Sequence, residues 1–196
     1  MGSSFVYSDF VMGGGAILFG LCLEGQGFVR YNDAISAFKG RSDDSSETMC
    51  ESGGTSDRQV TISKALRYGL FTRETSDAKT VALLELFNSY ENRHGEYIKV
   101  LIGTPIARDG INLANVQNIF LLGSGWNASG MYQAMSRAIR ATSHVDLLTE
   151  MKNVNIHVYR MCCVNDKHEG VDIDMYRASE AKDRKIKQME RIFKKC

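Results

Sequence analysis

The sequence predicts an α/β fold: a parallel sheet with helices on both faces, followed by a C-terminal helix. Three observations predict it. Short apolar runs suited to buried strands alternate with helical patterns from Phe5 to residue 161. Two of these runs, 98–102 and 118–122, each deliver a polar loop, as strand ends in such sheets do: Gly103-Thr104-Pro105 in one case and Gly123-Ser124-Gly125-Trp126-Asn127 in the other. The tail, 172–196, reads as one long helix.

The first strand is Phe5-Val6-Tyr7-Ser8. Met1-Gly2-Ser3-Ser4 has the look of an expression scar and is left outside the fold. The longest apolar run, 10–23, is broken by Gly13, Gly14, Gly15 and Gly20 and falls short of the roughly 18 residues of a membrane span, so it predicts no membrane partner. A helix is expected over 16–23, ending at Gly25-Gln26-Gly27, and a short strand over 28–31. The three consecutive glycines admit two readings. They are turn or close-packing positions, or they are the phosphate loop of a small-molecule enzyme, for which the necessary lysine is missing.

Residues 40–59 are mostly Ser, Asp, Glu, Gly and Thr, with Met49 and Cys50 as the only apolar residues, and predict a surface loop. A strand resumes over 67–72. Ser76 suits an N-cap, and Val81, Leu84, Leu86 and Phe87 give the following helix a face for the sheet. Pro105, the chain's one proline, restricts Thr104 toward an extended conformation, so the loop leaves its strand in a set direction. After a helix carrying Arg137 and Arg140, a last strand is expected over 154–161. In the tail, residues 181–196 hold seven Lys or Arg against two Asp or Glu, with Ile186, Met189 and Phe193 as a narrow apolar stripe. That stripe packs on this domain or on parts of a longer protein, and the basic face is solvated or meets phosphate.

A length of 196 residues with 43% hydrophobic content allows one well-buried domain, here 5–161, and a helical extension over 162–196. The chain opens on a strand and ends inside a helical pattern, which suggests an excised domain. Lys plus Arg total 24 against 23 for Asp plus Glu, a net charge of +1, so any basic surface is local. Five cysteines, with Cys162 and Cys163 adjacent and no paired C-x-x-C, argue for reduced thiols in a cytosolic compartment, without disulfides or zinc. His144 has no carboxylate or cysteine at ligand spacing and is expected at the surface; no metal site is predicted.

The chemistry sits in the motif helix. Arg137 and Arg140 are three apart, with Gln133 one turn earlier, so a continuous helix would place them on one face. Guanidinium groups fork onto phosphate oxygens and neutralise the charge that builds as a terminal phosphate departs. No G-x-x-x-x-G-K-[S/T] and no D-E-x-[D/H] occurs, so the parts that bind the remaining phosphates and Mg²⁺ are not in this chain.

Gln133-x-x-Ser136-Arg137-x-x-Arg140 resembles the last conserved motif of superfamily two helicases, Q-x-x-[G/S]-R-x-x-R. Ala107-Arg108-Asp109-Gly110-Ile111-Asn112-Leu113 resembles the motif before it, and the order and spacing agree. Trp126-Asn127 is similar to the Trp-Asn of remodeller-type members. The whole run resembles the early-transcription helicases of large cytoplasmic DNA viruses: African swine fever virus, mimivirus and, more distantly, poxviruses. The resemblance covers residues 6–195 and implies a second RecA-like lobe of an ATP-dependent helicase or translocase.

By the same resemblance, Arg140 is the arginine finger and Arg137 a second γ-phosphate contact. Gln133, Gly110 and Asn112 also face nucleotide, the last two lying between it and nucleic acid. Ser8, Thr104 and Arg108 meet the nucleic-acid backbone. Asn112 stands where many members have Asp, which keeps hydrogen bonding but removes a charge. Trp126 stacks on a base or is structural. ATP and Mg²⁺ would be bound mainly by an N-terminal RecA-like lobe, so the lobe alone is expected to be inactive as an ATPase. The implied partners are that lobe, nucleic acid (DNA in preference to RNA) and viral RNA polymerase. The implied location is the viral factory in the host cytoplasm, and the virion. The alternative is a non-unwinding transcription-factor module that docks DNA or RNA polymerase.

Overall fold

A computed structural model describes residues 2–31, 66–72, 75, 77–105, 111–123, 125–150, 153–161, 164–165 and 168–194. The elements run β1 (Ser3–Ser8), α1 (Ala16–Gly25), β2 (Val29–Arg30), β3 (Arg67–Phe71), α2 (Asp77–Asn88), a 3-10 turn (Tyr90–Asn92), β4 (Val100–Gly103), β5 (Val116–Leu122), α3 (Ala128–Ala138), α4 (Val145–Glu150), β6 (His157–Met161), β7 (Val164–Asn165), β8 (His168–Glu169) and α5 (Val171–Phe193). Six strands form one sheet in the order β2-β3-β4-β1-β5-β6. All its pairs are parallel, while β7 and β8 form a separate antiparallel pair that the sequence did not suggest.

Successive strand residues point to opposite faces, and here both faces are apolar. Phe5, Tyr7, Phe71, Leu101, Ile119 and Leu121 pack with Leu83 and Phe87 of α2 and with Met131, Ala134 and Ala138 of α3. Val6, Tyr68, Leu70, Val100 and Ile102 lie on the other side, against Ala16, Phe19 and Leu23 of α1. In α2 the innermost side chains are Leu83 and Phe87, one turn apart, while Val81 is exposed. Gly69 on β3 leaves room for this packing, since a Cβ there would stand 2.7 Å from Leu83 Cδ1.

The strand expected to begin at Phe5 begins at Ser3. Ser3 and Ser4 are buried, paired with β5 and β4, and the Ser3 hydroxyl donates to the Asn115 carbonyl at 2.7 Å. Placing residues 1–4 outside the fold is therefore corrected for these two: small polar side chains enter a sheet when they are hydrogen-bonded. The glycines after β1 act in a turn. Gly13 has φ 66°, and the Phe10 carbonyl accepts the Ala16 N–H at 2.9 Å so closely past Gly15 that any Cβ there would collide with that oxygen. The 40–59 loop, Ser76, Cys162 and Cys163 lie outside the described residues.

Helix α5 starts with Asp172 and Asp174 and ends with Arg191, charges that suit the helix dipole. Asp183 joins Lys187 at 2.6 Å and accepts the Tyr132 hydroxyl of α3 at 3.2 Å, and Arg160 of β6 lies over the Tyr176 ring at 4.1 Å. The stripe Ile186, Met189 and Phe193 is exposed, so it does not pack on the described part of this lobe.

The chain leaves central β1, crosses to β2, returns through β3 and β4 to β1's side, then passes to β5 and β6 on the other side. The carboxyl ends of β4, β1 and β5 therefore stand side by side, with Tyr7 beside Gly103 and Ser8 beside Leu122. In open parallel sheets this reversal opens a ligand crevice.

Candidate functional site

Helix α3 begins after Asn127, in an extended conformation (φ −133°, ψ 139°). Met131, Ala134 and Ala138 recur at helical spacing and face the core, leaving Gln133 and Ser136 exposed and Arg137 half-buried. The shared helical face expected for the two arginines is not formed. The helix stops at Ala138, Ile139 leaves helical geometry (φ −110°, ψ 85°), and Arg140 lies beyond it. Arg140 instead folds back. Its Nε donates to the Ser136 carbonyl at 3.2 Å and its Nη1 to Asn112 Oδ1. Arg137 stays in the last turn, where its Nε is buried and its carbonyl accepts the Leu113 N–H at 3.0 Å.

The two motifs thus meet through named bonds. Asn88 at the end of α2 donates to the Asn112 carbonyl at 2.9 Å and accepts the Ala114 N–H at 2.8 Å. Asn115 has φ 59°, a left-handed conformation that Asn tolerates, and its main-chain N–H donates to the Ser143 carbonyl at 2.7 Å. Its amide donates to Asp146 at 2.9 Å. His144, expected at the surface, is 7% exposed. Its Nε2 is 2.7 Å from the Val116 carbonyl, which only accepts, so the hydrogen is on Nε2 and the imidazole ties the end of this loop to β5.

Ser8 and Thr104 stand at neighbouring strand ends, as expected, but each is only 1% exposed. The Ser8 hydroxyl donates to the Phe10 carbonyl at 2.9 Å and accepts the Phe10 N–H at 3.2 Å, closing the turn after β1. Arg108 and Gly110 lie outside the described residues. Trp126 is 67% exposed at the same sheet edge, with the Lys182 ammonium 5.8 Å from its ring centroid and donating to its carbonyl at 3.3 Å. Tyr132 similarly has Lys187 5.1 Å from its ring.

A second polar cluster went unread in the sequence. Glu150 of α4 receives Arg93 at 2.6 Å and His94 at 2.8 Å, tying α4 to the turn after α2. Arg93 and then His94 hold the Glu150 carboxyl below its ordinary range. The single-residue roles of Arg93, His94 and Asn88 carry no spacing signal, because each partner is far away in sequence. Among the described residues, no three His, Cys, Asp or Glu are grouped to hold a metal, and no helix is long and apolar enough to cross a membrane.

The donor set suits an anion. Arg140 is exposed, and its guanidinium, held at Nε and Nη1 by described residues, is a preset cation suited to phosphate oxygens.

Residues 34–142 match the family model of the helicase conserved C-terminal domain. The chain is 31% identical over 197 residues to "Putative helicase 087L" of Invertebrate iridescent virus 3, covering 98% of this chain and 18% of that protein. It is 29% identical over 129 residues to "Nucleoside triphosphatase I" of Melanoplus sanguinipes entomopoxvirus, covering 66% of this chain and 19% of that protein. The chain thus spans about a fifth of these relatives. Among solved structures, the C-terminal part of the Fun30 ATPase domain aligns with a TM-score of 0.52 at 12% identity, over 91% of this chain and 39% of that one. That likeness, with the parallel sheet and its helices, establishes a RecA-like fold. With more than half of its length matched, the chain belongs to the helicase conserved C-terminal domain family, as a C-terminal lobe of the kind found in helicases of large DNA viruses.

Proposed function

We propose that this chain is the second lobe of an ATP-dependent nucleic-acid helicase or translocase, serving early transcription of a large DNA virus in the host cytoplasm. The observation that carries the reading is Arg140, exposed and held by Asn112 and the Ser136 carbonyl. Arg140 acts as the finger on a terminal phosphate bound by an N-terminal RecA-like lobe, and Arg137 makes a second contact when the lobes close, with Gln133 and Gly110 also contributing to nucleotide binding. Mg²⁺, which that first lobe would hold, would supply charge neutralisation.

Nucleic acid, DNA in preference to RNA, crosses the carboxyl ends of β4, β1 and β5. Ser8 and Thr104 have buried side chains, so their contribution to backbone contact is through main chain or the turns they shape, with Arg108 adding charge. ATP closure and reopening then shift these contacts along the strand.

The test joins this chain to its first lobe. The 196-residue chain alone should show negligible ATPase, and the joined protein should show turnover stimulated by single-stranded DNA. Substantial turnover by the chain alone would contradict the division of labour. A joined protein that binds DNA without turnover would favour a docking module.

A further inference from the structure

We propose that Asn88 is a positioning residue for Arg140, acting through the main chain of residues 112–114. The proposal rests on the reading of Arg140 as the phosphate-facing arginine. Arg140 lies outside α3, so helical spacing does not orient it; its guanidinium is placed by the Ser136 carbonyl of that helix and by Asn112 Oδ1. Asn112 is itself exposed. Its direction is set by its backbone.

That backbone is pinned at three consecutive residues. The Asn88 amide donates to the Asn112 carbonyl at 2.9 Å, the Leu113 N–H donates to the Arg137 carbonyl at 3.0 Å, and the Ala114 N–H donates to the Asn88 side-chain carbonyl at 2.8 Å. Buried Leu113 holds the middle of the segment. A carboxamide is suited to both outer bonds because it offers a donor and an acceptor on one short stem. Aspartate lacks the donor and alanine lacks both. The partners are 24 and 26 residues away, so the end of α2 sets the aim of an arginine carried by a distant motif.

The experiment uses the two-lobed protein and compares wild type, Asn88→Ala, Asn88→Asp, Asn112→Ala, Arg140→Ala and the double variant Asn88→Ala/Arg140→Ala. Measurements are kcat and KM for ATP with saturating single-stranded DNA, and hydrogen exchange of the peptide containing Ala114. Asn88→Ala should lower kcat on the order of 10- to 100-fold, as misplacement of a reacting group by about 1 Å does, with KM nearly unchanged. Asn88→Asp should fall in the same direction. Exchange at Ala114 should quicken in Asn88→Ala and stay slow in Asn112→Ala, although both lose kcat.

In the Arg140→Ala background, Asn88→Ala should add no further loss, the non-additivity of residues acting as a unit. Arg140→Ala collapsing while Asn88→Ala keeps wild-type kcat would overturn the positioning role alone. A loss from Asn88→Ala that multiplies onto that of Arg140→Ala would assign Asn88 a merely structural part. Wild-type turnover in Arg140→Ala would remove the reading on which the proposal stands, and the proposal with it.

Discussion

Asn92→Ala should be among the most damaging single substitutions outside the apolar core. Asn92 is fully buried. Its Oδ1 accepts the N–H groups of Tyr97 and Ile98, each at 2.9 Å, and its Nδ2 donates to the carbonyls of Phe87 at 2.9 Å and Ile98 at 3.3 Å. One side chain therefore joins the end of α2 to the approach to β4. Alanine deletes all four bonds. The Tyr97 N–H, in a half-buried residue, can reach water, and the Ile98 carbonyl loses only a long bond. The Ile98 N–H and the Phe87 carbonyl belong to buried residues and stay unsatisfied, at about 1–3 kcal/mol each. The expected loss is roughly 3–5 kcal/mol, a large share of a domain's stability. Urea unfolding of wild type and Asn92→Ala, followed by far-UV circular dichroism, gives the value from the midpoint at common slope. A loss below about 1 kcal/mol at unchanged slope would refute the reasoning, since at least one of these groups would then have to be rehydrated at no cost.

Gly69→Ala should cost about 1–3 kcal/mol by urea unfolding, because its Cβ would stand 2.7 Å from Leu83 Cδ1 and 3.1 Å from Leu101 Cδ1; a neutral result would mean that the two leucines repack freely. Burial, then the bond to Glu24 at 2.6 Å, pushes the Tyr68 hydroxyl up from 10.0 to about 12. A raised folded-state pKa gives stability that is full below pH 10.0 and lost as pH climbs through about 12. The advantage of wild type over Tyr68→Phe should therefore shrink across that window in urea titrations at stepped pH, and a constant difference would exclude it. Ile192→Ser with Phe193→Ser should leave stability within about 0.5 kcal/mol in the 196-residue chain, because both side chains are largely exposed. A larger loss would place them in a packed face.

The sheet was legible because strands buried on both faces are nearly continuous apolar runs, as Phe5-Val6-Tyr7 and Ile119-Phe120-Leu121 are. The order of the strands was not, since it depends on which apolar faces meet. The motif helix was legible from Met131, Ala134 and Ala138, but its end was not. No glycine or proline marks Ile139, where the backbone turns away and takes Arg140 off the helical face. Ser3 and Ser4 read as lying outside the fold, and His144 as a surface residue, because a polar residue's burial is decided by a distant partner: Asn115 for Ser3 and Val116 for His144. Asn88 and Asn92 belong to the same class. Each bonds main-chain groups that only the folded chain brings near, so neither shows in periodicity or motif. The exposed stripe of α5 was visible as a pattern, while its lack of a partner among the described residues of this lobe was visible only in the structure.

The central claim is that Arg140 acts on the departing phosphate. Its most direct test is single-turnover ATP cleavage by the two-lobed protein at saturating nucleotide and single-stranded DNA, wild type against Arg140→Ala. Loss of an arginine finger should slow the cleavage step by about 10³- to 10⁵-fold, with nucleotide still bound. A cleavage rate within about tenfold of wild type, some 1.4 kcal/mol of barrier, would contradict the assignment and leave the exposed guanidinium without a catalytic part.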